Sequence, residues 1–325
     1  MRNNRYVVHR VAVVGSGTMG VGIAALLAGS GFPVLLLDVV PKELTDKERE
    51  LGLSLHDSEV RNRIVTDNLE KNHNVFYSNQ DVDLITVGNL EDDFEKLVSV
   101  DWVVEAIVEN IEVKRQFFDA LDNIRPAEQI VTTNTSGLPI HELAQDRSDG
   151  FKSNFLGVHF FNPPRYMKLL EVIPTSETNA DLVNFFSGYV SQRIGKNVVL
   201  CKDTPSFIAN RIGLANNFRR ISYSIDNGYT IEEVDAIGGT LMGYPSTAVF
   251  RLIDLVGIDV THMIGSNINE MLPMDSAGIE KDSSLERVLS RLIEHDWIGN
   301  KVKIGFYKEV LIDGNVKQFL SLIHI

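Results

Sequence analysis

A histidine and a carboxylate twelve residues apart, His159 and Glu171, are the residues of this chain best suited to acid–base chemistry. They lie in Gly157-Val-His159-Phe-Phe-Asn162-Pro163-Pro164 and Met167-Lys-Leu-Leu-Glu171-Val-Ile173. The two segments read as a strand, a proline-enforced turn and a second strand. Val158 and Phe160 alternate with His159, and Leu169 and Ile173 share the face of Glu171, so the carboxylate sits among apolar neighbours. A buried carboxylate needs a partner. A neutral imidazole is one: bonded at one ring nitrogen, its tautomer is fixed and the other nitrogen is left as a general base. Taken alone, the pair fits a satisfied core couple as well as a catalytic one.

The elements that must position the pair begin near the N-terminus. Val11-Ala-Val-Val14 reads as a short buried strand, followed by the loop Gly15-Ser-Gly17-Thr18-Met19-Gly20 and a helical run from Val21 to Ala28. Strand, glycine loop and helix in this order are the context of a dinucleotide fingerprint, with Gly15 for the tight turn, Gly17 for close approach of a diphosphate and Gly20 for helix packing. The next strand, Pro33 to Asp38, ends in an acid eighteen residues after Gly20. Asp38 is placed to accept bonds from a ribose 2′-hydroxyl and to repel a 2′-phosphate, so NAD is expected over NADP.

Between Lys42 and Gln80 acids and bases mix, and the stretch reads as a helical arm off the sheet with a solvated face. Its Arg61, Arg63 and Lys71 are candidates to meet an anionic ligand. Strands resume at Asp83 to Val87, Asp101 to Glu109 and Gln129 to Thr133. In a doubly wound sheet the strand C-termini face the ligand crevice, which places Glu109, Lys114 and Asn134-Thr-Ser136 near it. Ser136 can donate to a substrate oxygen, or simply form a turn. Pro205 suits a first helical turn capped by Asp203 or Thr204, and apolar residues from Ile208 to Ile225 recur at three or four, with Asn210 near the start of that helix. Further helices follow. The expected organisation is a Rossmann-type domain, 1–202, with a helical arm at about 42–80, then a smaller all-helical domain, 203–325: an α/β fold with a doubly wound, mostly parallel sheet.

At 325 residues and 44% hydrophobic, the chain can bury two cores. A net charge of −13 argues against a nucleic-acid partner. The single cysteine, Cys201, excludes internal disulfides and fits a reducing cytoplasm, and the scattered histidines suggest no metal site. Neither a signal peptide nor a membrane span is expected, since the longest apolar runs are strand length.

Six ordered blocks then give the chain a resemblance to the L-3-hydroxyacyl-CoA dehydrogenases over nearly its whole length. They are Gly15 to Ala24, Val103 to Asn110, Asn134 to Ser136, His159 to Pro163, Met167 to Val172 and Lys202 to Arg211. The text looks most like the dehydrogenase part of bacterial multifunctional fatty-acid oxidation proteins. The resemblance implies NAD-dependent oxidation of L-3-hydroxyacyl-CoA thioesters in β-oxidation, with His159 and Glu171 as the catalytic pair and Ser136 and Asn210 holding the reacting oxygen. It places Asp38, Glu109, Lys114, Ser136, Asn162 and Lys301 on the nicotinamide cofactor beside Gly15, Gly17, Thr18, Met19 and Gly20. Two rivals share this architecture: a dehydrogenase of another hydroxy acid or sugar acid, and a crystallin-like binding protein. A homodimer joined through the helical domain is expected. Lys303 and Ile304 depart from the family's usual glycine and acid or amide, and the tail from Lys317 to Ile325 does not match it.

Overall fold

A computed structural model describes residues 6–272, 275, 277–312 and 316–321 of the chain. It comprises two compact units, residues 1–207 and 208–325.

The first unit is built on eight strands in the order β3-β2-β1-β4-β5-β6-β7-β8. The strands are β1 (Val11–Val14), β2 (Val34–Asp38), β3 (Ile85–Asn89), β4 (Trp102–Glu105), β5 (Ile130–Thr133), β6 (Phe155–Phe160), β7 (Leu169–Pro174) and β8 (Asn197–Leu200). β1 to β6 are mutually parallel; β7 runs antiparallel to β6, and β8 parallel to β7. The strands alternate between two cores. Val11, Val13, Leu36, Trp102 and Val104 pack on one side, and Ala12, Val14, Leu35, Leu37 and Val103 on the other. Apolar residues on both faces of a strand are what a parallel sheet covered by helices on both sides requires.

Helix α1 (Thr18–Gly29) is apolar nearly all round, which is why it is buried over Gly20 to Ala28. The arm breaks into short helices, α2 (Asp46–Glu50), α3 (Ser58–Arg61), α4 (Arg63–Lys71) and α5 (Asn79–Val82). Thr45 and Ser78 close capping boxes at the starts of α2 and α5. The arm's arginines meet acids of the chain itself: Arg61 bonds Asp92 at 2.6 Å and Glu91 at 2.8 Å, and Arg63 pairs with Glu48. Beyond the arm come α6 (Ile111–Ile124), α7 (Ile140–Ala144), α8 (Asp149–Ser153) and α9 (Ala180–Ile194).

The second unit holds α10 (Ala209–Asp226), α11 (Ile231–Gly238), α12 (Phe250–Val256), α13 (Ile258–Met271) and α14 (Ser284–Glu294) around Phe218, Ile221, Ile253, Leu289 and Phe306. To these it adds an antiparallel ribbon, β9 (Tyr307–Ile312) with β10 (Val316–Ser321), so the expected all-helical domain carries two strands. The ribbon takes in the tail as far as Ser321; the remainder of the stretch to Ile325 lies outside the described residues. Two buried carboxylates fasten the start of β9. Asp254 accepts the amides of Phe306 and Tyr307 at 2.8 and 2.9 Å, and Asp235 accepts the Tyr307 hydroxyl at 2.9 Å.

The α10 helix does not start at Pro205. Ser206 and Phe207 have φ of 60° and 50°, which interrupts helical geometry, and regular helix begins at Ala209. Asp203 is instead engaged with α7, accepting the amides of Ile140 and His141 at 2.8 Å each. Lys303 has φ 64°, a left-handed conformation that explains why glycine suits this position.

Candidate active site

The glycine loop follows directly from β1. Gly15 has φ 99°, and a Cβ there would lie 2.4 Å from the carbonyl oxygen of Ala106; at Gly20 it would lie 1.8 Å from that of Gly15. Both positions exclude side chains because of the chain's own backbone. At Gly17 a Cβ would meet nothing within 4 Å, so the glycine leaves open space in front of the loop. That space faces the first turn of α1, opened by Thr18 and Met19, whose amides have no carbonyl partner within the helix. An anionic diphosphate fits such a cradle.

Asp38, at the end of β2, reaches across to the loop. One carboxylate oxygen accepts the Ser16 amide at 2.6 Å and its hydroxyl at 2.5 Å, and the other accepts the Val39 amide at 2.7 Å. Asn68 of α4 donates to the Ser16 hydroxyl at 3.0 Å, tying the arm to the loop.

His159 and Glu171 are direct cross-strand partners in the antiparallel β6–β7 pair. Both are buried, and His159 Nδ1 lies 2.7 Å from Glu171 Oε2. A carboxylate at Nδ1 leaves Nε2 for a substrate proton. The rings of Phe161 and Phe207 stand 4.4 and 5.8 Å from the imidazole, which restricts water around it. Asn134, just past β5, accepts the Phe160 amide at 2.9 Å and so fixes the end of β6.

The turn between the two strands carries Asn162, exposed, and Pro164, buried against α1 where a Cβ on Gly22 would come within 2.9 Å of its ring. Lys196 holds this turn from beneath, donating to the carbonyls of Pro164 and, at 2.6 Å, Met167. Burial pushes its ammonium down to about 8. Arg165 donates to the Phe76 carbonyl at 2.6 Å and lies 4.0 Å from the Tyr77 ring, joining the turn to the end of the arm.

A third group of residues lies at the ends of β4 and β5. Lys114 shares the inner face of α6 with Phe117, Phe118 and Leu121, a helical spacing of three, four and seven that buries it with them. Its ammonium pairs with Glu105 at 2.6 Å, buried on both sides, and reaches Glu109 at 3.3 Å. Glu109 in turn accepts the Ser136 amide at 2.9 Å. Glu109, Lys114 and Ser136 are thus brought together, with Lys114 inside the fold. Burial raises the Glu105 carboxyl, while Lys114, Thr133 and the Ile107 amide favour its charged form. No role for Glu105 follows from strand patterning alone. The signal was a lysine on an apolar helix face, which demands a buried acid within reach.

Asn210 and Lys301 belong to the second unit. Asn210 is half-buried in the first turn of α10, and Lys301 forms an ion pair with Asp259 at 2.7 Å.

A doubly wound sheet, a glycine cradle with an acid at the end of β2, and a buried histidine–carboxylate pair define a dinucleotide-binding oxidoreductase domain. Residues 10–204 match the 3-hydroxyacyl-CoA dehydrogenase NAD binding domain, and residues 207–309 match the 3-hydroxyacyl-CoA dehydrogenase C-terminal domain. The chain belongs to the 3-hydroxyacyl-CoA dehydrogenase family, and its dinucleotide is NAD. It is 44% identical over 306 residues to a Bacillus subtilis protein named "Probable 3-hydroxyacyl-CoA dehydrogenase", covering 93% of this chain but 38% of that protein's length. It is 33% identical over 308 residues to the mitochondrial hydroxyacyl-coenzyme A dehydrogenase of Homo sapiens, covering 94% and 92% of the two chains. The crystal structure of M. tuberculosis FadB2 superposes with a TM-score of 0.74 at 26% identity, covering 94% of this chain and all of that one. Among the described residues no helix is long and apolar enough to cross a membrane.

Proposed function

We propose that the protein oxidises L-3-hydroxyacyl-CoA thioesters to 3-ketoacyl-CoA with NAD, as a step of fatty-acid β-oxidation. The observation that carries this reading is the buried 2.7 Å bond between His159 and Glu171, at the end of a strand in the same sheet as the glycine cradle. Nε2 of His159 takes the proton of the substrate hydroxyl, and the Glu171 carboxylate stabilises the imidazolium that results. Ser136 and Asn210 hold the reacting oxygen and the thioester carbonyl. NAD bound in this cradle would supply the hydride acceptor for the oxidation at C3. Gly15, Gly17, Thr18, Met19, Gly20, Asp38, Glu109, Lys114, Ser136, Asn162 and Lys301 would hold the dinucleotide.

The relatives' names support the thioester as substrate. A net charge of −13 and a single cysteine support a cytoplasmic enzyme without a nucleic-acid partner. Exposed apolar side chains on the second unit, such as Ile212, Tyr223, Leu241 and Met263, support a homodimer. The test is NADH oxidation by the purified chain with acetoacetyl-CoA and with longer 3-ketoacyl thioesters, beside free keto acids and sugar acids. Turnover of the thioesters is expected; turnover of free acids alone would transfer the assignment to a different dehydrogenase.

A further inference from the structure

The ion pair between Lys114 and Glu105 is buried at both ends, with side-chain exposures of 1% and 0%. Its burial alone is weak evidence of a stabilising part, because apolar side chains of similar volume commonly serve as well as a buried ion pair. Its connections point elsewhere. Glu105 Oε1 accepts the Ile107 amide at 2.8 Å beside the Lys114 ammonium, and Oε2 accepts the Thr133 hydroxyl at 2.5 Å. This anchors the acid to β4, β5 and the loop between β4 and α6. Lys114 reaches on to Oε2 of Glu109, whose side chain is 42% exposed. The other oxygen of Glu109 accepts the Thr135 hydroxyl at 2.5 Å, the Ser136 amide at 2.9 Å and the Ser136 hydroxyl at 3.4 Å. Charges of alternating sign therefore run from the interior of β4 to Ser136, three residues past β5.

Glu109 alone would not stay in place. A half-exposed glutamate regains rotamer freedom when released into water. The donors of Thr135 and Ser136 oppose this on one oxygen, and on the other the Lys114 ammonium does, acting through a medium of lower dielectric than water. Lys114 in turn is held in the core by Glu105, 2.6 Å from its ammonium.

We propose that Glu105 is a positioning residue for the dehydrogenase reaction: through Lys114 it fixes the Glu109 carboxylate, and through Glu109 it fixes the backbone and hydroxyl of Ser136. The inference rests on the reading above in which Ser136 holds the substrate oxygen. Glu105 touches neither substrate nor cofactor in this role.

The test is Glu105→Gln in two backgrounds. Glutamine keeps the shape and an acceptor for the Ile107 amide while removing the charge. Misplacement of the Ser136 contact is expected to lower kcat on acetoacetyl-CoA and NADH by about tenfold to a hundredfold. In a Ser136→Ala background the same substitution is expected to cost less than about threefold, because residues acting as one unit are not additive. An equal loss in both backgrounds would assign Glu105 a general structural part and overturn the proposal. Hydrogen exchange supplies a readout independent of activity: the Ser136 amide is expected to exchange faster in Glu105→Gln, with the amides of β4 and β5 unchanged. Unchanged exchange at Ser136 would also overturn it. Should Glu105→Gln fail to fold, Thr133→Val removes one hydroxyl from the carboxylate and is read in the same way, with a smaller effect. A wild-type chain inactive on every thioester would refute the functional reading, and the exchange measurement would still decide the network.

Discussion

Replacing Glu171 by glutamine separates catalysis from stability more sharply than any other change at the site. Glu171 is fully buried and its Oε2 lies 2.7 Å from His159 Nδ1. In the proposed reaction the imidazole gains a proton, and the carboxylate stabilises that charge at a centre-to-charge distance of about 4 Å, worth roughly 4 kcal/mol at an effective dielectric near 20. Glutamine keeps an acceptor for Nδ1–H and offsets about 1 kcal/mol of that loss. The remaining ~3 kcal/mol corresponds to a fall in kcat of about two orders of magnitude. Folding should respond differently, since the native state no longer buries a charge: the melting temperature is expected to stay within about 3 °C of the parent. The assay is steady-state NADH oxidation with saturating acetoacetyl-CoA, with NADH affinity followed by fluorescence and melting by circular dichroism. His159→Gln should cost at least as much, and the double variant no more than His159→Gln alone. A kcat within about threefold of the parent, or a loss matched by equal weakening of NADH binding, would refute the reasoning.

Two further predictions concern the cofactor acid and the second unit. Asp38→Ala removes both the proposed ribose acceptor and the bonds to the Ser16 amide and hydroxyl, so NADH affinity is expected to fall about tenfold to a hundredfold by fluorescence titration, with a smaller loss for NADPH. Burial pushes the Asp254 carboxyl up to about 6, above the 3.8 of an unfolded chain. The folded state thus binds the extra proton between those values, and this carboxyl's contribution to stability falls as pH rises through that window. Relative to Asp254→Asn, the parent is expected to lose up to about 3 kcal/mol between pH ~4 and ~6.5, measured by urea unfolding at each pH; a difference independent of pH would contradict the burial argument.

Local patterning made the two ends of the site legible. Alternation around His159 and Glu171 sufficed to face them across a strand pair, and Gly15, Gly17, Gly20 and Asp38 carry their own stereochemical reasons. What escaped depended on contacts between elements far apart in the chain. Lys114 reads as a residue near the ligand crevice, and its burial shows only once Phe117, Phe118 and Leu121 settle which way it points; its partner Glu105 reads as the middle of a strand from Asp101 to Glu109, which in the structure ends at Glu105. Asp203 has the type and position of a helix cap, but it caps α7, over sixty residues earlier, rather than the helix that follows it. Lys196 has no local signature at all; its task exists only because the turn after β6 folds back over β8. The left-handed backbone at Lys303 is a cost of the fold that composition cannot reveal.

The reversal of direction between β6 and β7 has a consequence for how this enzyme can vary. A catalytic pair assembled from distant loops depends on the length of every loop. Here the two residues meet by strand register, His159 against Glu171, with Val158 against Val172 and Phe160 against Leu170 on either side. The facing of the two residues therefore follows from strand register, while Pro164 and Lys196 tie the intervening segment to the rest of the domain. The forbidden change is a slip of one residue, which would turn Glu171 to the opposite face of the sheet. The proposed acid–base geometry is thereby tied to the count of residues along two strands rather than to the length of a loop.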